Sequence, residues 1–471
     1  MTRFLKWLDS RTGIHKLLAA TLDEPIPGGA RLAYVFGSGL LFLFISQVIT
    51  GVCLALYYVP SADHAHTTVA YIVKEVSSGS FVRSIHVYGS SAMIVVLLLH
   101  VSQTVLFGSY KGLREPLWLA GCGLFALVLG LTFTGYLLPW DQKAYFATAV
   151  GTNIVAEIPV VGPALQRFFR GGTEMGTLTV SRFYVAHVFV LPALVFAFVA
   201  VHVGLFRKAG AAGPPTPVEA DAAQPFYPRQ LLMDVGFVSV LMLALAMLAR
   251  FLPSELGPEA NPAETRFLPR PEWYYVPVFQ WLKYWPGERA FIGIVLIPAL
   301  LAGLFIGLPF LDRGVERRPW RRPVTLQMFA LVLTGLVLLG VASYRDDRRD
   351  AAISKQLMVQ HEAARAYMSE PFEPEPSAGS MKVANAALVD PVRGRGKAVF
   401  EAQSCDACHG ADGLGTDVAP PLRNVGTKHP GAELAQILRT PTARMAENGM
   451  TPVDIPDDDF KALMEFLTSI K

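Results

Sequence analysis

Charged residues are scarce in this chain of 471 residues: they make up 17% of it, against about 25% in an average soluble domain. Cysteines number only four, and Cys53 and Cys122 stand singly inside apolar segments, so a disulfide-stabilised scaffold is excluded. The amphipathic N-terminus lacks the pattern of a cleavable signal peptide and is predicted to be a helix on the membrane surface. The net charge of +3 says little by itself, and no nucleic-acid partner is expected.

Apolar sequence, in contrast, is abundant, with 52% hydrophobic residues and a mean hydropathy of +0.38. Seven segments are long enough to span a bilayer, which takes about 20 residues. They lie at Ala33–Tyr57, Ile85–Leu106, Pro116–Leu137, Phe183–Phe206, Leu231–Leu252, Arg289–Phe310 and Val324–Ser343. The predicted fold class is all-α: a polytopic membrane bundle of about seven helices, followed by a small soluble helical domain.

The orientation in the membrane follows from the basic residues, which favour the cytoplasmic side. With the N-terminus inside, the basic residues near Arg3, Lys111, Arg207 and Arg313 all lie in cytoplasmic segments. Seven crossings then place the C-terminal domain outside, in the periplasm if the membrane is a bacterial inner membrane. The outer loop 138–182 is predicted to form short interfacial helices.

Two of the apolar segments carry a spaced pair of histidines. His86 and His100 are fourteen residues apart, so on a helix they lie within roughly 40° of one face and about 21 Å apart. His187 and His202 are fifteen residues apart, which rotates this pair by roughly 60° and keeps nearly the same rise. Two such helices side by side could hold two stacked bis-histidine iron sites. Hydrogen bonding between helices is the alternative, and it explains one histidine better than two matched pairs.

The strongest local motif is C-D-A-C-H at residues 405–409, the pattern of covalent c-type haem attachment. Cys405 and Cys408 would form the thioethers and His409 would be an axial iron ligand. The sixth ligand is predicted to be a methionine ahead of the helix expected at Asp457–Ser469, namely Met450, with Met445 as the alternative. A methionine–histidine pair would raise the haem potential and suit an electron acceptor. A redox-active or zinc-binding C-x-x-C is the other interpretation, but no second ligand pair occurs in the sequence.

Two pairs of glycines, Gly37 with Gly51 and Gly121 with Gly135, repeat the fourteen-residue spacing on the first and third apolar segments. Glycine lets a flat macrocycle approach the backbone closely, so these positions are predicted to give clearance for haem. The alternative is ordinary helix packing through small residues.

Three arginines lie close to the histidines in sequence: Arg83, Arg114 and Arg182. Each could neutralise haem propionates. Each could equally be an interfacial residue whose charged end reaches the membrane surface.

Together these motifs resemble cytochrome b of the cytochrome bc complexes. The resemblance is carried by the histidine pairs, by GYLLPWDQKAYFA at 135–147 and by the PEWY motif at 271–274, and it covers about residues 1–345. The split into four helices plus three resembles the photosynthetic short cytochrome b joined to its subunit IV. The remainder resembles a monohaem class I cytochrome c, and its fusion is a departure from the commonest complexes. The implied domains are a dihaem N-terminal domain (1–210), a three-helix domain with PEWY (225–345), a tether (346–391) and a cytochrome c domain (392–471).

The resemblance also implies ligands for two non-covalent haems b, in addition to the covalent haem c. His86 and His187 would ligate the haem on the outer side. His100 and His202 would ligate the haem on the cytoplasmic side. Val35 stands where photosynthetic and Gram-positive forms carry a cysteine that binds an extra haem, which argues against a covalent third haem in the membrane.

The quinol site implied by the resemblance lies on the outer side. Glu272 would take a proton from the quinol, and Tyr136, Tyr145 and Tyr274 would line or gate the site. Asp234 resembles an acid used at an inner quinone site.

The implied function is that of a membrane subunit of a proton-translocating quinol–cytochrome c reductase. One electron would reach the haem c through a Rieske iron–sulfur protein, and the other would cross both haems b to an inner quinone site. The expected partners are a Rieske protein on another chain, a second copy of this chain in a homodimer, membrane lipid, and a soluble cytochrome or other acceptor. Two alternatives are a dihaem electron conduit without quinol bifurcation, and a c domain that serves in docking or redox sensing.

Overall fold

The computed structural model describes residues 3–216, 223–264, 266–374, 391–410, 413, 415–416, 419–447 and 449–470. The chain is divided into two compact units, residues 1–373 and 374–471. Residues 375–390 of the expected tether lie outside the described residues.

Within the described residues, seven helices are long and apolar enough to cross a membrane, as the sequence predicts. They are called the first to seventh spans: Leu32–Ala55, Gly79–Phe107, Glu115–Leu137, Thr177–Ala209, Arg229–Phe251, Gly287–Ile306 and Pro323–Arg349. Several extend past the apolar stretch. The seventh continues to Arg349 through a polar stretch that includes three arginines, which have good helix propensity.

The fourth span contains a π-helical turn at Ala186–Val190, directly before Pro192. Proline cannot donate the backbone hydrogen bond of a regular helix, and a π-turn accommodates one extra residue. His187 lies in this turn. This turn accommodates an extra residue in the fifteen-residue spacing, and His187 and His202 both face the third span, at Gly135 and Gly121.

The core of the membrane unit lies between the first five spans. Each contributes a buried apolar side chain to one cluster, for example Leu43, Met93, Val128, Val195 and Leu245. The second and fourth spans, which carry the histidines, therefore belong to one packed core.

Shorter elements cover both ends of the bundle. They are helices Arg3–Thr12, Ile14–Leu22, Ala65–Lys74, Gln142–Ala156, Gly162–Arg170, Val276–Leu282, Leu308–Leu311 and Ala351–Ser369, with 3-10 turns at Leu32–Tyr34, Gly287–Arg289 and Pro319–Arg321. A two-residue antiparallel ribbon pairs Pro25–Ile26 with Gln224–Pro225. The two helices in 138–182 confirm the expectation of helices in that loop.

The helix Ala351–Ser369 packs on the membrane unit and does not form part of a free tether. Lys74 Nζ donates to the Tyr367 carbonyl at 2.8 Å and lies 4.0 Å above the Tyr367 ring. Tyr367 also stacks against His66, and Phe372 packs against Tyr71. The first unit therefore extends to Glu373, well past the expected boundary at 345.

A buried ionic cluster joins the loop after the second span to the segment between the sixth and seventh spans. Asp312 accepts from Lys111 Nζ and from Tyr110 Oη, each at 2.5 Å, and pairs with Arg322 at 3.4 Å. Burial alone would raise the pKa of Asp312, but the hydrogen bonds from Lys111 and Tyr110 outweigh it and hold that pKa below its usual value. The carboxylate is therefore charged at neutral pH.

The second unit is a small helical domain. Its helices are Pro391–Ala402, Cys405–His409, Val425–Lys428, Gly431–Arg439, Ala443–Glu447 and Asp457–Ser469. Phe400, Leu434, Leu463 and Leu467 contribute to its core, in which the first and last helices pack together.

Candidate functional site

His86 and His187 face each other across the bundle. Their ring centroids are 6.1 Å apart and their planes are nearly perpendicular, at 80°. Two imidazoles that share one metal through bonds of about 2 Å need roughly this separation. We call this end of the bundle the His86 end, and the other the His100 end.

The Nδ1 atoms of this pair are already engaged. His187 Nδ1 lies 3.1 Å from the Leu131 carbonyl and 3.3 Å from Thr134 Oγ1, and His86 Nδ1 lies 2.9 Å from Thr50 Oγ1. A carbonyl only accepts, so the proton of His187 is on Nδ1. The Nε2 lone pair of that ring remains available to a metal, which is the usual arrangement of metal-binding histidines.

Each of the four glycines lies opposite one histidine. A Cβ built on Gly135 would lie 2.5 Å from His187 Cε1, and one on Gly51 would lie 3.2 Å from His86 Cε1. At the His100 end, the corresponding distances are 3.3 Å from Gly121 to His202 and 3.8 Å from Gly37 to His100. The sequence assigned these glycines to clearance for a macrocycle. In the structure they also give room to the imidazoles themselves, most tightly at Gly135.

The three arginines differ in what they contact. Arg83 is buried and donates to the Ser254 carbonyl, to Ser254 Oγ and to the Glu255 carbonyl at 3.0–3.2 Å, so it anchors that loop. Arg182 donates to the Phe168 carbonyl. Arg114 donates to the carbonyls of Ala209 and Gly210, while its Nε is buried with no hydrogen-bond partner among the described residues.

Glu272 and Tyr136 come together at the His86 end. Glu272 Oε1 accepts from Lys143 Nζ at 2.8 Å, and Lys143 Nζ lies 5.6 Å above the Tyr136 ring. Tyr136, which follows Gly135 on the third span, donates to the Arg270 carbonyl at 3.4 Å. This cluster therefore lies next to the His187 side of the histidine pair. Lys143 was not among the site residues predicted from the sequence, although it lies within PWDQKAYFA.

Tyr274 and Tyr145 occupy different surroundings. Tyr274 packs against the core of the first five spans, and burial raises its pKa well above the usual value, with the charge of Glu272 as the next cause. Tyr145 packs edge-to-face against Trp140 and Phe146, with ring centroids 5.3 and 5.2 Å apart. Of the two, Tyr274 is the one coupled to Glu272.

The segment before PEWY is fixed by the end of the seventh span. Arg270 binds Asp347 through two contacts, Nη2–Oδ1 at 2.5 Å and Nε–Oδ2 at 3.0 Å. Gln280, fully buried, donates to Asp346 Oδ2 at 2.7 Å. Both aspartates lie at the beginning of residues 346–391, which were predicted from the sequence to be a tether.

Asp234 lies at the His100 end in a buried polar group. Its carboxylate accepts from Ser38 Oγ at 2.6 Å and from Gln230 Nε2 at 2.8 Å. Both oxygens are therefore engaged between the first and fifth spans.

In the second unit, His409 Nδ1 donates to the Pro420 carbonyl at 2.9 Å, which leaves Nε2 available as an axial ligand. Burial raises the pKa of the Cys405 thiol. Met450 packs against the domain core, and its backbone N–H donates to the Met445 carbonyl at 3.0 Å. The two candidate methionines are thus neighbours, with Met450 facing the core.

Comparisons with known proteins cover most of the chain. The family model described as Cytochrome b/b6/petB matches residues 21–210, Cytochrome b(C-terminal)/b6/petD matches 259–360, and Cytochrome c matches 394–471. Cytochrome b of Rhodobacter capsulatus is 32% identical over 317 residues, which cover 64% of this chain and 71% of the relative. The chain belongs to the cytochrome b family.

Two further relatives match different shares of the chain. Cytochrome b/c1 of Bradyrhizobium diazoefficiens is 32% identical over 71% of this chain and 50% of its own length. The menaquinol:cytochrome c reductase cytochrome b subunit of Geobacillus thermodenitrificans is 37% identical over 45% of this chain and 99% of its own length. A solved chain of a hyperthermophilic respiratory Complex III matches with a TM-score of 0.67 and 26% identity, covering 77% of this chain and 96% of that chain.

This cytochrome b is therefore a multi-pass membrane protein of the bc-complex, or Complex III, type, fused to a C-terminal cytochrome c domain. Both kinds of domain imply haem. The residues present fit that group: the Nδ1 contacts of His86 and His187 leave ring nitrogens for iron, and the buried Nε of Arg114 is a free donor for a propionate.

Replacing Met450 by alanine is expected to lower the midpoint potential of the c haem and to abolish its methionine–iron charge-transfer absorption. The reason is that loss of a thioether ligand removes the feature that raises the potential. Met445→Ala is the matched control and should leave both properties unchanged. The reverse result would assign the ligand to Met445.

Proposed function

We propose that the chain is the membrane subunit of a quinol–cytochrome c oxidoreductase that oxidises quinol at the His86 end. The observation that carries this proposal is the cluster of Glu272, Lys143 and Tyr136 beside the His86–His187 pair. A proton acceptor and an electron-accepting centre at one place are what quinol oxidation requires. The named Complex III neighbour and the reductase relative support the same reaction class.

In the proposed mechanism, the side chains of the PEWY loop bind and deprotonate the quinol. Glu272 takes one hydroxyl proton at its carboxylate, and Lys143 Nζ, half-exposed, holds that carboxylate when no quinol is present. Tyr136 and Tyr274 line the site and exclude water, and Tyr145 borders it. A carboxylate placed within hydrogen-bonding reach of the substrate contributes about 100-fold or more to a proton-transfer step.

The four histidines define the proposed path of one electron. His86 with His187, and His100 with His202, would each hold one non-covalent haem b, with about 21 Å of helix between the levels. When bound, these groups and the covalent haem at Cys405, Cys408 and His409 accept and pass on single electrons. Asp234, in its buried polar group, is the proposed acid of a quinone site at the His100 end.

The second electron would leave through a Rieske iron–sulfur protein to the c domain, and from there to a soluble cytochrome or another acceptor. Basic residues at the His100 end favour the cytoplasm for that side, so proton release would occur on the opposite face of a bacterial inner membrane. A homodimer in the lipid bilayer is the proposed assembly. These assignments make the chain a proton-translocating subunit.

Replacing Glu272 by glutamine is expected to lower quinol:cytochrome c turnover about 100-fold, because the amide cannot accept the proton. The haem content should stay the same. Glu288→Gln, which changes an exposed glutamate in the first turn of the sixth span, is the control and should retain full turnover. Full activity of Glu272→Gln would contradict the proposed role.

The electron-conduit alternative makes a different prediction for the partner. A conduit would accept electrons from quinol into both b haems even when the Rieske protein is absent. Under the proposed function, sustained reduction through the His86 end requires that protein, so its removal should block the reaction. Rapid b-haem reduction in Rieske-free complex, with the site at the His100 end inhibited, would favour the conduit.

A further inference from the structure

The two levels of histidines differ in the residues that surround their Nδ1 atoms. At the His86 end, a threonine directly precedes each glycine: Thr50 precedes Gly51 and Thr134 precedes Gly135. At the His100 end, the equivalent positions are Phe36 and Ala120, which have no hydroxyl. The residue before each glycine therefore carries a hydroxyl group at the His86 end and none at the His100 end.

The hydrogen bonds of these threonines fix the direction in which the imidazole contacts run. Thr50 Oγ1 donates its own hydrogen to the Ser46 carbonyl at 2.7 Å, and Thr134 Oγ1 donates to the Gly130 carbonyl at 2.8 Å. Each hydroxyl has one hydrogen, so toward the neighbouring ring it can only accept. His86 Nδ1–H then donates to Thr50 Oγ1 at 2.9 Å, and His187 Nδ1–H is shared between the Leu131 carbonyl at 3.1 Å and Thr134 Oγ1 at 3.3 Å.

At the His100 end, the corresponding nitrogen has weaker surroundings. His202 Nδ1 is buried, and its backbone neighbour is the Leu117 carbonyl, at a geometry outside that of a normal hydrogen bond; no hydroxyl among the described residues bonds to it. Thr104, one helical turn after His100, donates to the His100 carbonyl and so contacts the backbone only.

An acceptor on Nδ1–H makes the other ring nitrogen a more basic ligand, which favours ferric over ferrous iron and lowers the reduction potential. We propose that Thr50 and Thr134 are positioning residues that lower the potential of the haem held by His86 and His187 relative to the haem held by His100 and His202. The inference rests on the proposed function, because it assumes a b haem at each level. Its consequence is that an electron entering at the His86 end passes on spontaneously.

The test is a redox titration of the purified complex carrying Thr50→Val and Thr134→Val together. Valine keeps the shape and removes the acceptor. The midpoint of one b haem should rise by about 59 mV, a roughly tenfold change in its one-electron equilibrium, while the other stays fixed. Thr104→Val, which removes a similar hydroxyl without an imidazole contact, should move neither.

The converse variant adds a hydroxyl at the other level. Ala120→Ser places an acceptor next to His202 and should lower the midpoint of the second b haem only. Two bound b haems with unmoved midpoints in both the threonine variant and Ala120→Ser would overturn this inference and leave the proposed function intact. Absence of b haem from the unmodified complex would overturn the proposed function itself.

Discussion

Replacing Gly135 by alanine is expected to abolish haem binding between His86 and His187. The added Cβ would lie 2.5 Å from Cε1 and 3.0 Å from Nε2 of the His187 ring, inside the distance that real contacts allow. The ring cannot retreat without losing its hydrogen bond to the Leu131 carbonyl, which lies on the same span as Gly135. Metal sites tolerate errors of only about 0.2 Å in ligand distance, so the displacement should remove the haem.

Pyridine haemochrome analysis measures this effect directly. The b-haem content should fall from two to one per chain, while the single c haem of the same chain serves as an internal standard. Gly130→Ala is the matched control on the same span, because its Cβ would meet Leu191 at an ordinary 3.6 Å. If Gly135→Ala retained both b haems with unchanged midpoints, the close approach of His187 to this glycine would have no role in binding.

Replacing Asp312 by asparagine is the second large effect, and it concerns stability. The change leaves the buried ammonium of Lys111 and the buried guanidinium of Arg322 without their shared carboxylate. Removing one partner of a buried ion pair costs about 3 kcal/mol or more. Because the pKa of Asp312 is held below its usual value, the stabilisation is present at neutral pH and is lost only as pH falls through that lowered pKa.

The measurement is the thermal denaturation midpoint of the purified complex, followed through the b-haem absorption at pH 7. Glu316→Gln is the control, since Glu316 forms its ion pair with the partly exposed Arg318 and should change the midpoint little. Equal midpoints for Asp312→Asn and the unmodified protein would show that the carbonyls around Lys111 and Arg322 are enough to stabilise these two buried charges.

The histidine levels could be predicted from the sequence because helix geometry converts a fourteen-residue spacing into a position on one face. For the fifteen-residue pair, the sequence did not reveal the π-helical turn at Ala186–Val190 in which His187 lies. The threonine–glycine repeat at 50–51 and 134–135 was visible in the sequence as well. Its meaning emerged only when the hydroxyls were found beside imidazoles of other spans.

The ionic contacts could not be predicted, because their partners are distant in sequence. Lys111 and Asp312 are 201 residues apart, and Arg270 and Asp347 are 77 apart. Local patterns give no pairing rule at such separations. Arg83 illustrates the same limit. Its position close to His86 suggested that it neutralises a haem propionate, whereas in the structure its guanidinium binds Ser254 and Glu255.

The cluster around Asp312 also attaches the two halves of the membrane unit to each other. Lys111 belongs to the four-span half, and Asp312 and Arg322 belong to the three-span half, so the halves are attached by ionic bonds that do not pass through the peptide between them. A break in the segment between Gly210 and Gln224 would leave every partner of that cluster intact. The ionic attachment of the two halves therefore does not depend on an unbroken chain in that segment, which Arg317 also binds through the carbonyls of Ala212 and Gly213.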